Sequence, residues 1–258
     1  MEFEVIDFHT HPFVEKYERI GAYVDTVNMC TQDFFDEMEK AGVSLACGSV
    51  IGGKAESFAD IHLLNLHALE VRDSYPGRYI PGFHVHPGYI KESVDEIEFA
   101  VNNKIKIIGE LVPYHHGWDD YSSDAFMEIA DCLSSTDMIL NLHIGSAEDL
   151  CRVEKAISRY KNVIFVLAHP GYGDRFEKHI DILKTYENTY LDISGSGIEL
   201  YGALKRIITL AGYERILFGT DFPVTAFKTY ISAVLSENIT DTAKEHILRL
   251  NAKRVLKI

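Results

Sequence analysis

Two histidines stand one residue apart in Val5-Ile6-Asp7-Phe8-His9-Thr10-His11-Pro12. The apolar run before them reads as a strand. Side chains on a strand alternate faces, so His9 and His11 are expected to point the same way. Pro12 has no N–H to give to a ladder and stops the run. Neutral imidazoles are common ligands for zinc-like ions, so a His-x-His strand tip supplies half of a metal site. The same spacing also describes a plain polar strand end, and it gains meaning only from partners downstream.

Such partners recur where later apolar runs stop. They stand in Phe83-His84-Val85-His86-Pro87, Gly109-Glu110, Asn141-Leu142-His143-Ile144-Gly145, Ala168-His169-Pro170-Gly171 and Phe218-Gly219-Thr220-Asp221-Phe222-Pro223. Each alone has a structural explanation: a hydrogen-bonded histidine, a glutamate paired with a lysine, an aspartate accepting in a turn. Jointly they predict a divalent metal site. Histidines from several strand ends and one acid would meet at a point, and burying them without a partner ion would be costly. His62, His67, His179 and His246 fall in helical segments and read as surface or packing residues.

Those tips can meet only if the strands are parallel neighbours. The apolar runs are Phe3–Phe8, Ser44–Ile51, Tyr79–His84, Ile105–Leu111, Met138–His143, Val163–Ala168, Thr189–Ile193 and Ile216–Gly219. Between them lie segments with helical spacing: Gln32–Lys40, Ala59–Tyr75, Val94–Val101, Ala125–Leu133, Ala147–Tyr160, Phe176–Tyr186 and Glu199–Ala211. Strict alternation implies a parallel sheet, because parallel strands need crossover connections. Eight such units in 258 residues predict a single-domain α/β fold, a (β/α)8 TIM barrel over residues 1–258. An open doubly wound sheet competes with it. That fold asks for a glycine-rich turn after the first strand, where this chain has His-Thr-His-Pro. The connection Phe13–Cys30 is expected to cap the active face as a loop or short lid.

Composition narrows the partners. The chain has 39 acidic and 25 basic residues and a net charge of −14, which argues against nucleic acid or an anionic membrane. An anionic small substrate stays open, since a bound divalent ion dominates its local field. Cys30, Cys47, Cys132 and Cys151 form no C-x-x-C pair and read as reduced thiols. The chain begins with a strand rather than a basic stretch and apolar core, and no apolar run is long enough to span a membrane. A cytoplasmic protein is expected, with a homodimer as the base-rate assembly.

The full set of motifs resembles the metal-dependent hydrolases of the amidohydrolase superfamily, in the amidohydrolase-related branch. The resemblance runs from Val5-Ile6-Asp7-Phe8-His9-Thr10-His11 through His143, Leu167-Ala168-His169-Pro170-Gly171 and Leu217-Phe218-Gly219-Thr220-Asp221-Phe222-Pro223 to Ile247-Leu248-Arg249-Leu250-Asn251-Ala252. It implies His9 and His11 as ligands from the first strand, and His143 and His169 as the histidines of strands five and six. It implies Asp221 as the strand-eight aspartate, which binds metal or takes a proton from water. Many binuclear members carry a bridging carboxylated lysine at the tip of strand four. Here Lys106 lies too deep and Glu110 occupies the tip, as in the deoxyribonuclease-like branch. Metal count stays open: Glu110 bridges two ions, or one ion uses His9, His11, His143 and Asp221. The expected ion is zinc.

The chemistry that follows is hydrolysis of an amide, lactone or ester of a small molecule by metal-activated water. Asp221 serves as the proton acceptor, and His169, if free of metal, stabilises the oxyanion. The alternative on the same groups is non-oxidative decarboxylation of a conjugated or aromatic acid. A metal-binding scaffold without catalysis is the non-enzymatic reading. The loop Val112–Tyr121 supplies expected substrate contacts in Tyr114, His115 and Trp118, with His84 and His86 from strand three. Arg175 is the nearest arginine that could clamp a carboxylate.

Overall fold

The computed structural model describes residues 4–13, 29–52 and 55–258, and in it strand and helix alternate around a barrel. The strands are β1 (Val5–Asp7), β2 (Val43–Ser49), β3 (Tyr79–Phe83), β4 (Ile107–Leu111), β5 (Ile139–His143), β6 (Ile164–Ala168), β7 (Thr189–Asp192) and β8 (Ile216–Leu217). They lie in sequence order, and every neighbouring pair is parallel. The seam between β8 and β1 is closed by Phe8 N–H to Phe218 O, Asp221 N–H to His9 O and His11 N–H to Phe222 O, each 2.8 Å. The sheet is therefore a closed (β/α)8 barrel, as the alternation predicts.

The helices are α1 (Thr31–Ala41), α2 (Phe58–Ser74), α3 (Ile90–Asn102), α4 (Pro113–His116), α5 (Asp124–Leu133), α6 (Ala147–Arg159), α7 (Gly173–Thr185), α8 (Ala203–Ala211), α9 (Phe227–Ser236), α10 (Asp241–Glu245) and α11 (Asn251–Leu256). A π-helical turn, His246–Leu250, joins the last two. Side-chain caps start several of them: Ser57, Ser123, Ser146 and Thr240 accept the N–H three residues on. Among the described residues no helix is long and apolar enough to cross a membrane. The connection Phe13–Cys30, expected to cap the active face, falls mostly on residues 14–28, outside the described residues.

Period-two alternation sorts the strand residues into a barrel core and an outer layer of two clusters, the second built on Val5, Val43, Ala46, Leu191 and Ile216. Ile108, Leu140, Leu142, Phe165 and Leu167 face the helices and pack with Ala68, Ile97, Ile129 and Val153. Ile6, Cys47, Ile107, Ile139, Val166 and Leu217 fill the barrel, joined by Ala252, Val255 and Leu256 of α11. At the tips the alternation breaks, and those breaks position the polar residues.

The helical layer also buries His179 of α7, which is 1 % exposed. Its Nδ1–H donates to Arg175 O at 2.9 Å. Burial pushes its pKa down to about 3, and the carbonyl bond opposes this only in part. The folded chain therefore binds this proton less readily than the unfolded chain. The associated stability is complete above the ordinary histidine value and drains as pH falls toward about 3, at about 1.4 kcal/mol per pH unit. In urea unfolding, the margin of the native protein over His179→Gln is expected to shrink as pH falls from about 7 to about 5. A margin independent of pH would show that the imidazole binds its proton equally well in the folded and unfolded chain, so that burial has not lowered its pKa.

Candidate metal centre

β1 ends at Asp7, so His9 and His11 lie just past the strand rather than on it. Their backbone is held from both sides. Thr10 N–H donates to Cys47 O, His11 N–H to Phe222 O, and His9 O accepts from Asp221 N–H. The two rings meet edge to face with centroids 5.0 Å apart. His9 is fully buried and His11 nearly so.

Partners on the far side of each ring fix its tautomer. His11 Nδ1 lies 3.0 Å from Ser49 O, a pure acceptor, so it carries the proton. His9 Nδ1 makes a short contact with the Asp192 carboxylate and lies 3.0 Å from Ser194 Oγ. Both Nε2 atoms then present lone pairs. His9 Nε2 is 3.1 Å from His11 Nε2, 3.2 Å from Glu110 Oε2 and 3.7 Å from Asp221 Oδ1. His11 Nε2 is 3.5 Å from Glu110 Oε2 and 3.2 Å from Asp221 Oδ1. An ion about 2.0–2.2 Å from nitrogen and oxygen ligands sets neighbouring ligand atoms about 3–3.5 Å apart. His9 Nε2, His11 Nε2 and Glu110 Oε2 stand at that spacing, with Asp221 Oδ1 3.2 Å from His11 Nε2, so the donor set fits a divalent cation.

Glu110 reaches this point through an irregularity in β4. Ile107 pairs with Ile139, Ile108 with Leu140 and Leu111 with Leu142, with the register shifting between Ile108 and Leu111. Gly109 and Glu110 together oppose Asn141, an extra residue of the kind that defines a bulge. Simple alternation would put Glu110 on the face of Ile108, toward the helices. The extra residue turns it into the barrel and returns Leu111 to the outer core. Glycine is required at position 109, where φ is +109° and an added Cβ would fall 2.0 Å from Asn141 O.

The Glu110 carboxylate then faces two ways. Its Oε2 meets His9 and His11, while Oε1 lies 3.1 Å from His143 Nδ1 and 2.9 Å from His169 Nε2. Among the described residues there are thus two candidate ligand groups sharing Glu110: His9–His11–Glu110 and Glu110–His143–His169. His169 Nδ1 lies 3.2 Å from Ser194 Oγ. Backbone strain accompanies both His169 (φ +67°) and Asp221 (φ +63°), left-handed positions costly for residues with a Cβ.

Electrostatics bind the cluster together. Burial alone would push the histidines down. The carboxylates outweigh it, Glu110 and Asp192 raising His9 well above its ordinary value, Asp221 and Glu110 raising His11 to about 9, and Glu110 raising His169. Burial would push the acids up, yet the neighbouring imidazoles hold Glu110 well below and Asp221 below the usual carboxylate range. Protons or a cation must sit among these groups, and the two compete.

A cavity of about 220 Å³ opens above them. Ile51, Val112, Tyr114, His115 and Val224 wall it, and His11, Glu110, His143, His169 and Asp221 form its polar side. The Tyr114 ring meets His143 edge-on at 5.1 Å. Burial, Glu110 and Asp221 push the Tyr114 phenol up to about 12, and burial lowers His115, so the wall is neutral.

Other expected contacts stand elsewhere. His86 does not line the cavity: its Nε2–H donates to His116 O and its Nδ1 accepts Gly88 N–H, which uses both nitrogens. Trp118 is a packing residue, its ring against Tyr121 and Phe126. His84 is buried behind the wall and donates Nε2–H to Val50 O. Arg175 is committed to Ile144 O and Gly145 O, so it is no carboxylate clamp. The sequence reading missed Asp192 and Ser194. Their only signal is an acid at the tip of the seventh apolar run, where Leu-Asp-Ile-Ser repeats the tip-plus-polar pattern.

Replacing His9 and His11 together with alanine is expected to abolish stoichiometric binding of a zinc-like ion, because two donors leave one group. Full metal content in the folded double variant, by elemental analysis, would make the pair structural. Asp192→Asn is expected to weaken metal binding about 10–100-fold, the usual cost of losing the group that orients a ligating histidine. Unaltered affinity in a chelator competition would show that Ser194 suffices.

No curated protein sequence matches the chain. Solved structures share its fold. One is 2,6-dihydroxybenzoate decarboxylase from Rhizobium, with TM-score 0.76, 13% identity and 99% of each chain covered. Another is 5-carboxyvanillate decarboxylase from Sphingomonas paucimobilis, with TM-score 0.74, 14% identity and 99% of each chain covered. A third is dihydroxybenzoic acid decarboxylase from Polaromonas sp. JS666 with bound manganese and the inhibitor 2-nitroresorcinol. Its TM-score is 0.73 at 15% identity, covering 99% of this chain and 97% of that one. A family description, amidohydrolase, matches residues 6–258. Since that match begins in the strand leading to His9 and runs to the last residue, every group of the centre lies inside it, and the chain belongs to the amidohydrolase family.

Proposed function

We propose that the protein is a metal-dependent decarboxylase of a small hydroxylated aromatic or conjugated acid. The observation that carries this reading is the cavity. It is about 220 Å³, room for roughly one ring, with aliphatic and aromatic walls set directly against the acid–imidazole cluster. The shared fold of the three decarboxylases agrees with it.

His9, His11, Glu110 and Asp221 would hold the ion, with His143 and His169 facing the other oxygen of Glu110. When bound, a divalent cation draws electron density from the carboxylate or hydroxyl of a substrate. Ile51, Val112 and Val224 orient the ring and exclude water, and Tyr114 and His115 offer neutral partners for ring hydroxyls. Asp221 Oδ1 faces His11, which leaves Oδ2 to carry a proton. An arriving substrate carboxylate raises the proton affinity of Asp221 by like-charge repulsion. Oδ2 gives that proton to the carbon bearing the carboxylate. The C–C bond breaks, its electron pair returns to the ring, carbon dioxide leaves, and Asp221 regains a proton from solvent.

Hydrolysis of an amide, lactone or ester is the second reading. It is favoured by the family and by Asp221 being held below the usual carboxylate range, as a proton acceptor would be. Two imidazoles with carboxylates suit manganese as well as zinc. One or two ions, a cytoplasmic setting consistent with four free cysteines, and a homodimer complete the proposal.

The test loads the protein with Mn2+ or Zn2+ and offers 2,6-dihydroxybenzoate, related hydroxybenzoates, lactones and amides. One carbon dioxide per acid consumed is expected, with one deuterium at the vacated carbon when the solvent is D2O. Asp221→Asn should lose about 10²–10⁴-fold in rate while keeping at least part of its metal. Turnover of a lactone or amide with no carbon dioxide from any acid would establish the second reading. Bound metal without turnover on either panel would make the protein a scaffold.

A further inference from the structure

We propose that His84, Asn65 and Glu96 form a positioning relay that sets the orientation of His11, a proposal that rests on the metal reading above. β2 stops at Ser49, and Ser49 and Val50 offer successive carbonyls at its tip. Ser49 O accepts from His11 Nδ1–H at 3.0 Å, and Val50 O accepts from His84 Nε2–H at 2.9 Å. Imidazoles from the strands on either side thus grip adjacent peptide units. Whatever tilts Val50 tilts Ser49, and with it the acceptor that holds His11.

His84 is itself clamped. Its N–H donates to Asn65 Oδ1 at 2.7 Å, and its carbonyl accepts from Asn65 Nδ2 at 2.9 Å. Asn65 Nδ2 also donates to Glu96 Oε1 at 2.9 Å. A carboxylate only accepts, so Glu96 and the His84 backbone demand the same turn of the Asn65 amide. The other oxygen, Oε2, lies 2.8 Å from His62 Nδ1 at the surface. The bonds therefore run from α3 through α2 and the residue after β3 to the tip of β2 and on to the imidazole of His11 just past β1.

Burial makes the chain of bonds informative. Asn65, His84 and Glu96 are 0 %, 1 % and 4 % exposed. Helix packing alone would be served as well by apolar side chains, since buried polar groups gain little net stability even when fully paired. A one-way order of donors and acceptors gives what apolar packing cannot, a single orientation of the His84 backbone, from which the ring reaches Val50 O. Groups bonded directly to a ligating histidine change metal affinity about 10–100-fold, and the relay acts on the carbonyl that plays this part for His11.

The test uses Co2+, whose visible bands report ligand geometry, with affinity read by chelator competition. His84→Leu and Asn65→Leu are expected to weaken Co2+ binding about tenfold or more and to shift the bands. His84→Gln keeps an N–H donor near the Nε2 position and should return affinity to within about threefold of wild type. Ile61→Ala, a core residue of the same helix outside the relay, should lower thermal stability without moving either readout. If His84→Leu does not fold, Asn65→Asp decides, since it keeps the size but cannot donate to His84 O. Folded relay variants with wild-type affinity and bands would overturn the relay, as would equal shifts in Ile61→Ala. Wild-type protein that takes up no Co2+ would overturn the metal reading and the relay together.

Discussion

The Nε2 atoms of His9 and His11 lie 3.1 Å apart, and each has Glu110 Oε2 and Asp221 Oδ1 within 3.2–3.7 Å, in a largely buried cluster. Left without a cation or protons, such a cluster repels itself and forfeits its hydration. The barrel is arranged to enforce the crowding rather than relieve it. Ser49 O and the Asp192 carboxylate accept hydrogen bonds from the Nδ1–H groups, so neither ring can flip its tautomer to ease the contact. Glycines make the approach possible. A Cβ on Gly219 would fall 2.3 Å from Asp192 Oδ1 and 2.7 Å from the His9 Cβ.

The barrel was legible in the sequence because its signal is redundant. Eight apolar runs and the segments between them each repeat the same inference, so a boundary error of one or two residues costs nothing. The strand tips were legible for a related reason: polar residues that end an apolar run stand out from it. What pattern could not show was where alternation fails. His9 and His11 share a site because loop backbone is pinned by Cys47 and Phe222, not because a strand extends through them. Glu110 points inward only because of the extra residue at Gly109, and alternation from Ile108 would have sent it outward.

Side-chain contacts distant in sequence were harder still. Asp192 meets His9 across 183 positions, and nothing local to Leu191-Asp192-Ile193 announces it. His84 and His86 were marked by the same motif, yet their neighbours give them different work. His86 is used up by Gly88 and His116, whereas His84 grips the β2 tip beside His11. A motif fixes where a side chain starts, and packing fixes what it touches.

The seam of the barrel ties folding to the site. Asp7, fully buried on the last residue of β1, accepts from His9 N–H and Thr220 N–H at 3.1 Å each and from Thr220 Oγ–H at 2.6 Å. Burial pushes this carboxyl up to about 7, and the bonds to Thr220 and His9 restrain the rise. Thr220 and Asp221 are consecutive, and Asp221 N–H returns to His9 O. One buried carboxyl therefore joins the first and last strands at the point where each delivers a residue of the acid–imidazole cluster. The sheet cannot close in another register without parting His9 from Asp221. The requirement to satisfy Asp7 in a dry interior thus acts on the fold and the cluster at once, and assembly of the candidate metal centre becomes part of closing the barrel.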